Sequence, residues 1–383
     1  MNPRALLTYC QSELKPMLAC LRRAVEIESP TNSKADVDRL GKFFALEFKR
    51  NHGKVRILSH ASVGSAIVGE FFSEARGSGE KVKPVLLLGH LDTVWDVGTL
   101  SRMPFRISGE QAYGPGILDM KSGVLCGLWA VRALQALKIS PASPVRFFLN
   151  SDEVISSLAF RKQIIEEAKK AKAALVLEPA AVGGALKTER KGTGEFQITV
   201  HGRAAHAGIN PAAGVNAVAE LARQLLRVEK FARPHKGLTV SVGLIQGGTR
   251  TNVIPERAWA SLDVRVPHRQ DQDMIERKVR GLKPIHPEAR LEIRGGINRP
   301  PMERVRTVHL FRHARELGWQ MGMELLEAST GGGSDGNFAA AAGTPTLDGL
   351  GGVGDGAHAL DEHIIVRELP RRAALVAALL ATL

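Results

Sequence analysis

His90 and Asp92 stand two residues apart at the end of the apolar run Val85-Leu86-Leu87-Leu88-Gly89, which Pro84 opens. A run of this kind predicts a strand buried on both faces. Residues two apart on a strand point the same way, so the imidazole and the carboxylate can meet. In an open α/β sheet, ligands bind beyond the carboxyl ends of the strands, where this pair falls. The pairing suits a metal-bound histidine whose other ring nitrogen is held by an acid. A capped strand end with a satisfied histidine is the alternative. Two further apolar stretches lead to acids: residues 144–149 run into Asn150-Ser151-Asp152-Glu153, and residues 173–177 run into Glu178-Pro179. The connection from Gly114 to Gly123 sets Asp119 among glycines and a proline before a helix expected at 124–137, which suits a rigidly held carboxylate. Acids and a histidine at several strand ends on one edge make a site.

The elements that must position these residues follow from periodicity. Residues 1–28 predict one or two amphipathic helices, with Pro16 as a place to break or kink. A helix to about Asn51 stops at Gly53. Strands are expected at 54–59 and 66–71, with a polar turn at 75–81. A helix follows Glu153 as far as Lys170. From about 186 the texture changes, with strands at 195–200, 238–244 and 259–266 and helices at 215–231 and 270–281. The first two strands alternate polar and apolar residues, which predicts an antiparallel sheet with one wet face in a small α+β domain. After Pro300-Pro301 a helix is expected over 303–317, then residues 323–327, a loop at 329–334, and Thr346-Leu347. A glycine-rich loop at 349–356 leads to His358, and a helix after Pro370 closes the chain. The expected organisation is a discontinuous domain, 1–185 and 300–383, interrupted by an insertion at 186–299.

Composition narrows the classes. At 383 residues two domains are the default, and 44% hydrophobic with 24% charged residues is ordinary for a globular enzyme. A net charge of +13 raises the question of nucleic acid, an anionic membrane or an acidic substrate. The densest basic stretch, 290–315, interleaves seven arginines with Glu292, Glu303 and apolar residues, without an aromatic-interleaved patch or a recognition-helix pattern. Nucleic-acid binding is not expected. Cys10, Cys20 and Cys126 have no framework spacing and sit in helix-like segments, which points to reduced core thiols and a cytoplasmic protein. No stretch reaches the ~18 apolar residues needed to span a bilayer, and the N-terminal segment lacks the pattern of a secretory signal.

Together these motifs resemble the zinc-dependent carboxypeptidases and deacylases that include carboxypeptidase G, succinyl-diaminopimelate desuccinylase and aminoacylase, with the carboxypeptidase G branch the nearest likeness. The resemblance rests on Glu28-Ser29-Pro30-Thr31, His90-Leu91-Asp92-Thr93-Val94, the Gly114 to Gly123 stretch, Glu178-Pro179, Gly202-Arg203-Ala204-Ala205-His206-Ala207-Gly208, Thr251-Asn252-Val253-Ile254-Pro255, Gly333-Ser334-Asp335-Gly336 and Gly356-Ala357-His358, all in family order. It implies an α/β metallopeptidase catalytic domain, with a central mostly parallel sheet flanked by helices. An inserted α+β domain with an antiparallel sheet would form a lid and a homodimer interface. It implies one metal on His90, Asp119 and Glu178, and a second sharing Asp119 and taking His358. Asp92 would orient His90, and Glu153 would be the general base on a metal-bound water. His206 would stabilise the oxyanion in the partner's active site. Asn252 and Arg265 would hold the substrate's carboxylate; on its own, Arg265 reads equally as a solvent-facing arginine on an alternating strand. Nitrogen and oxygen ligands without thiolates suit zinc, with cobalt or manganese as substitutes.

One departure stands out. The family's Asp-Glu-Glu, followed closely by glycine, reads here Asp152-Glu153-Val154-Ile155-Ser156. Val154 replaces the glutamate expected at the second metal, and valine has no lone pair to offer. One firm zinc site and an impaired second one are therefore expected. The expected activity is hydrolysis of the amide bond of an N-acyl amino acid or small peptide with a free carboxylate, a C-terminal glutamate among the candidates. The alternative is a catalytically weak or inactive homologue that binds a carboxylate-bearing small ligand.

Overall fold

The run that ends in His90 forms the strand Val85–His90, buried at every position. Val85 and Leu87 join a core on one face of the sheet, with Trp129, Phe147 and Leu375. Leu86 and Leu88 join another on the opposite face, with Phe148, Phe160 and Phe338. Two covered faces explain why this strand is apolar throughout and does not alternate. The computed structural model describes residues 1–73 and 82–383, so the polar turn expected at 75–81 lies outside the described residues.

Among the described residues the central sheet has six strands, in the order Lys54–Leu58, Ala66–Phe71, Val145–Asn150, Val85–His90, Ala173–Val176, Thr346–Leu347. The first two pairings are antiparallel and the other three parallel. Register sets His90 opposite Asn150 and Leu88 opposite Val176. His90, the turn after Asn150 and Glu178 therefore leave the sheet at one end. The helices Ser122–Ala136 and Glu368–Thr382 are apolar around most of their circumference and pack on one another in the core.

Two prolines sit where their missing N–H is harmless. The first helical break comes at Glu13, between Pro3–Ser12 and Leu14–Val25, and Pro16 falls in the first turn of the second helix. Pro370 likewise lies in the first turn of Glu368–Thr382 and does not precede the helix. The helix expected over 303–317 divides into a 3-10 turn, Arg304–Arg306, and the helix Val308–Gln320. At the division the Thr307 hydroxyl donates to the Thr188 carbonyl at 2.6 Å. After residues 323–326 the chain forms the strand Glu327–Thr330, beside Leu186–Arg190.

The chain forms two compact units, one of Met1–Glu189, Arg304–Thr330 and Ser334–Leu383, the other of Arg190–Glu303 and Gly331–Gly333. The second has its own antiparallel sheet, in the order Thr239–Gly247, Arg257–Val266, Gly192–His201, Arg290–Arg299. The helices Ala217–Glu229 and Arg269–Arg280 cover it over a core of Phe196, Ile198, Leu221, Leu262 and Ile275. Arg290–Arg299, a basic stretch in sequence, forms a strand. Leu291 and Ile293 pack on the core while Arg290 and Arg294 stay exposed.

Glycine permits a close approach in the first unit. A Cβ on Gly123 would stand 1.9 Å from the Leu177 carbonyl oxygen, and one on Gly351 2.1 Å from the same atom. That carbonyl directly precedes Glu178, so two glycines let a helix start and a loop close on the strand end that carries an acid. Gly123→Ala is expected to destabilise the protein by at least ~2 kcal/mol through overpacking. An unchanged urea midpoint would exclude the tight contact.

Candidate metal centre

His90 is almost fully buried, at 3% exposure. Its Nδ1 lies 2.8 Å from the main-chain oxygen of Asp92 and 3.4 Å from that residue's Oδ1. Its Nε2 lies 3.2 Å from Asp119 Oδ1 and 3.6 Å from Glu178 Oε1. One ligand atom from each of His90, Asp119 and Glu178 lies within 4.8 Å of the other two. Asp119 is reached from its other side by His358, whose Nε2 is 3.2 Å from Oδ2. One carboxylate thus stands between two imidazoles.

The charge balance suits a cation. Burial alone would push His90 down, but the Asp119 and Asp92 carboxylates outweigh it and hold the imidazole well above its ordinary value. Burial would raise Asp119, yet hydrogen bonds from His358 and His90 hold it far below the usual carboxylate range. His358 is raised, chiefly by Asp119. Three acids around one buried histidine, with soft thiolates absent from the group, match the donor chemistry of a zinc site.

Asp92 does more than face His90. Its carboxylate accepts the Thr31 hydroxyl at 2.9 Å on Oδ2, the Glu153 N–H at 3.2 Å on Oδ1 and the Val154 N–H at 3.1 Å on Oδ2. The same side chain therefore sits beside His90 and holds the turn that presents Glu153. That turn continues through Ser156 and Ser157 at φ of 79° and 54°, the left-handed region that favours glycine. It is closed by Ser156 N–H to Glu153 O and Ser157 N–H to Asp152 O, both 2.8 Å.

Several contributors were not singled out from sequence. Thr31 belongs to the Glu28-Ser29-Pro30-Thr31 motif, whose role emerges only here. Ser29 donates to the Leu91 carbonyl at 2.8 Å, and Glu28 accepts the Gly98 and Leu100 N–H groups at 2.8 Å each. The stretch braces the loop that leaves His90. Lys121 is buried, its Nζ 2.9 Å from the Ile27 oxygen, and burial pushes its ammonium down to about 7. Glu362 is fully buried beside Asp119; an acid four residues past His358 was the one signal available for it.

The remaining candidates lie in the second unit. His206 pairs with Val253 in a short ladder, and Ala207 N–H donates to Asn252 O at 3.0 Å, so His206 and Asn252 share one hairpin-like brace. His206 Nδ1 accepts the Gly208 and Ile209 N–H groups at 3.1 Å each, which puts the ring proton on Nε2. Arg265 engages Asp263 through Nε and Nη2, both at 2.8 Å, and Nη1 donates to the Gly331 oxygen at 3.3 Å. Its fork is occupied by an acid of its own strand.

Comparison with known proteins gives the family and the fold. Residues 86–382 match the profile of the peptidase family M20/M25/M40. The chain is 31% identical to carboxypeptidase G2 of a Pseudomonas species over 382 residues, covering 97% of this chain and 90% of that one. It is 30% identical over 210 residues to a succinyl-diaminopimelate desuccinylase of Corynebacterium glutamicum, covering 52% and 55%. The fold is similar to that of the aminopeptidase PepT of Bacillus cereus, with a TM-score of 0.77 at 19% identity over 96% of this chain and 98% of that one. It is also similar to that of an M20 metallo-carboxypeptidase of Sulfolobus solfataricus, with a TM-score of 0.72 at 15% identity over 95% and 98%. The chain belongs to the peptidase family M20/M25/M40 and is a hydrolytic enzyme.

A buried acid beside the centre yields a pH test. Asp152 accepts the Ala159 N–H at 2.7 Å on Oδ2, while its buried Oδ1 has no hydrogen-bond partner among the described residues. Burial, with the charges of Asp92 and Asp335, pushes this carboxyl up to about 6. The folded form then binds the proton more tightly than the unfolded chain, so this group's contribution to stability is fully present below about pH 4 and is lost as pH rises through about 6. Asp152→Asn is expected to gain about 1–2 kcal/mol at pH 8, once solvent screening is allowed for, and nothing at pH 4. Urea unfolding at the two pH values checks it; equal gains at both would refute it.

Proposed function

We propose that this M20 enzyme hydrolyses the amide bond of an N-acyl amino acid or small peptide bearing a free carboxylate, using Glu153 as general base beside a zinc centre on His90, Asp119 and Glu178. The observation that carries the reading is the convergence of those three ligands within 4.8 Å, next to a turn tied to Asp92. Zinc, when bound, supplies Lewis acidity for the scissile carbonyl and lowers the pKa of a water molecule. Asp92 holds His90 in its tautomer and aims Glu153. The Glu153 carboxylate takes the water proton and returns it to the leaving nitrogen, so the amine departs neutral. His206, with its proton on Nε2, is suited to stabilise an oxyanion. Asn252 and Arg265 would receive the substrate carboxylate, and Arg265 would exchange Asp263 for it. A C-terminal glutamate fits the basic chain.

The second metal position is weak. Asp119 and His358 are the pair left for it, and Val154 contributes no donor. This favours a one-zinc enzyme, and it gives weight to a second reading, a catalytically weak homologue that binds a carboxylate-bearing ligand. Cobalt or manganese would substitute for zinc at the firm site. A homodimer through the second unit fits the edge strand Thr239–Gly247, where Val242, Leu244 and Ile245 are 45%, 61% and 62% exposed. An unpaired apolar edge is a template for a second copy. Three buried free cysteines fit a cytoplasmic setting, and among the described residues no helix is long and apolar enough to cross a membrane.

Two experiments test the reading. Glu153→Ala is expected to lower kcat by ~10²–10⁴ while zinc content stays the same; an unchanged rate would remove Glu153 from the mechanism. Wild-type protein purified with zinc is expected to hold one ion per chain, rising toward two in Val154→Glu. Two ions in the wild type, or no change in the variant, would overturn the account of Val154.

A further inference from the structure

Glu362 lies four residues after His358 and is fully buried, yet nothing in the proposed mechanism uses it. Its carboxylate collects four donors. Oε2 accepts the Trp95 indole N–H at 2.7 Å and the Gly116 N–H at 3.0 Å. Oε1 accepts the Leu118 N–H at 2.9 Å and the Asp119 N–H at 3.0 Å. Its main-chain oxygen also accepts the Gly114 N–H at 3.4 Å. These donors belong to two particular segments. Trp95 is on the loop that leaves His90 and Asp92, and residues 114–119 form the connection that carries Asp119.

We propose that Glu362 is the positioning residue of the metal centre, fixing Asp119 and the loop after His90 in ligating geometry without itself touching metal or substrate. The inference rests on the zinc-centre reading of His90, Asp119 and Glu178. Asp119 must direct one oxygen to each side, toward His90 and toward His358, and that orientation is set by its main chain. The connection is also steeply turned: Gly116 has φ of 68°, and a Cβ there would meet Thr93 Cγ2 at 2.5 Å. Consecutive peptide N–H groups pointing inward need an anion, and a carboxylate can serve all four donors at once. A glutamine of the same shape cannot, because its NH2 group would face two N–H donors. An aspartate would fall one methylene short.

The inference separates from a merely structural role by its effect on metal binding. Metal-free wild type, Glu362→Gln and Trp95→Phe are titrated with Co²⁺, read by the visible absorption spectrum and by calorimetry, with far-UV circular dichroism and Tm recorded before metal is added. Glu362→Gln is expected to bind Co²⁺ ~10–100-fold more weakly with an altered spectrum, and Trp95→Phe, which removes one donor of four, to fall between it and the wild type. Wild-type affinity and spectrum in Glu362→Gln would overturn the inference, whatever happens to its Tm. If Glu362→Gln does not fold, Trp95→Phe decides: weakened binding supports the inference, and wild-type binding overturns it. A wild type that takes up no Co²⁺ would sink the zinc-centre reading and this inference with it, whereas wild-type uptake that the variants share would sink the inference alone.

Discussion

Concentrated negative charge is the constraint on which this centre depends. Asp92, Asp119 and Glu178 crowd around one buried imidazole, with Glu153 on the next turn. Like charges this close repel strongly where water is excluded, so each carboxylate must be met by donors or by a cation. Asp92 is met by a hydroxyl and two main-chain N–H groups. Glu362, just behind, is met by an indole and three main-chain N–H groups. Asp119 has a main-chain anchor on one side and a histidine on each oxygen. His90, Asp119 and Glu178 bring two carboxylates against one imidazole, and under the proposed function a divalent cation would offset that charge.

Most of the remaining architecture serves this balance. Three parallel strands deliver His90, the Glu153 turn and Glu178 to one sheet end, because parallel register keeps equivalent ends level. Glycines at 123 and 351 bring a helix and a loop against the carbonyl before Glu178. The glycine-rich stretch that leads to His358 is held by Arg372. This guanidinium is buried and donates to the main-chain oxygens of Gly351 at 3.0 Å, Gly184 at 3.1 Å and Gly349. Burial draws Arg372 down to about 10, so it remains charged at neutral pH and the loop keeps its clamp.

The strand ends were legible because a strand buried on both faces writes itself as an unbroken apolar run, and an acid or histidine after such a run has few other reasons to be there. Asp119 could be read for a related reason, since glycines and a proline around one acid announce a shaped loop. Glu362 and Thr31 could not. Their partners lie 243–267 and 61 residues away in sequence, and a polar residue in a loop carries no local mark of burial. The strand Arg290–Arg299 was hidden by its exposed arginines, whose charge masks the alternation of Leu291 and Ile293. Pro16 and Pro370 misled for the opposite reason: a strong local signal for a break is silent in the first turn of a helix.

The departure at Val154 has a physical reading that the sequence could not supply. Residue 154 contributes to the centre through its main chain, by donating its N–H to Asp92 Oδ2 at 3.1 Å. Any non-proline residue can make that bond, so exchanging a glutamate for valine removes a metal donor without loosening the turn that aims Glu153. The two histidine contacts on Asp119 are likewise independent of the side chain at 154. On the proposed reading, loss of a second cation site and retention of Glu153 as general base are therefore separable in this fold. Under the proposed mechanism, the groups that move the proton and hold the firm site remain while the neighbouring site loses its charge. Under that mechanism the separation would produce a one-metal hydrolase.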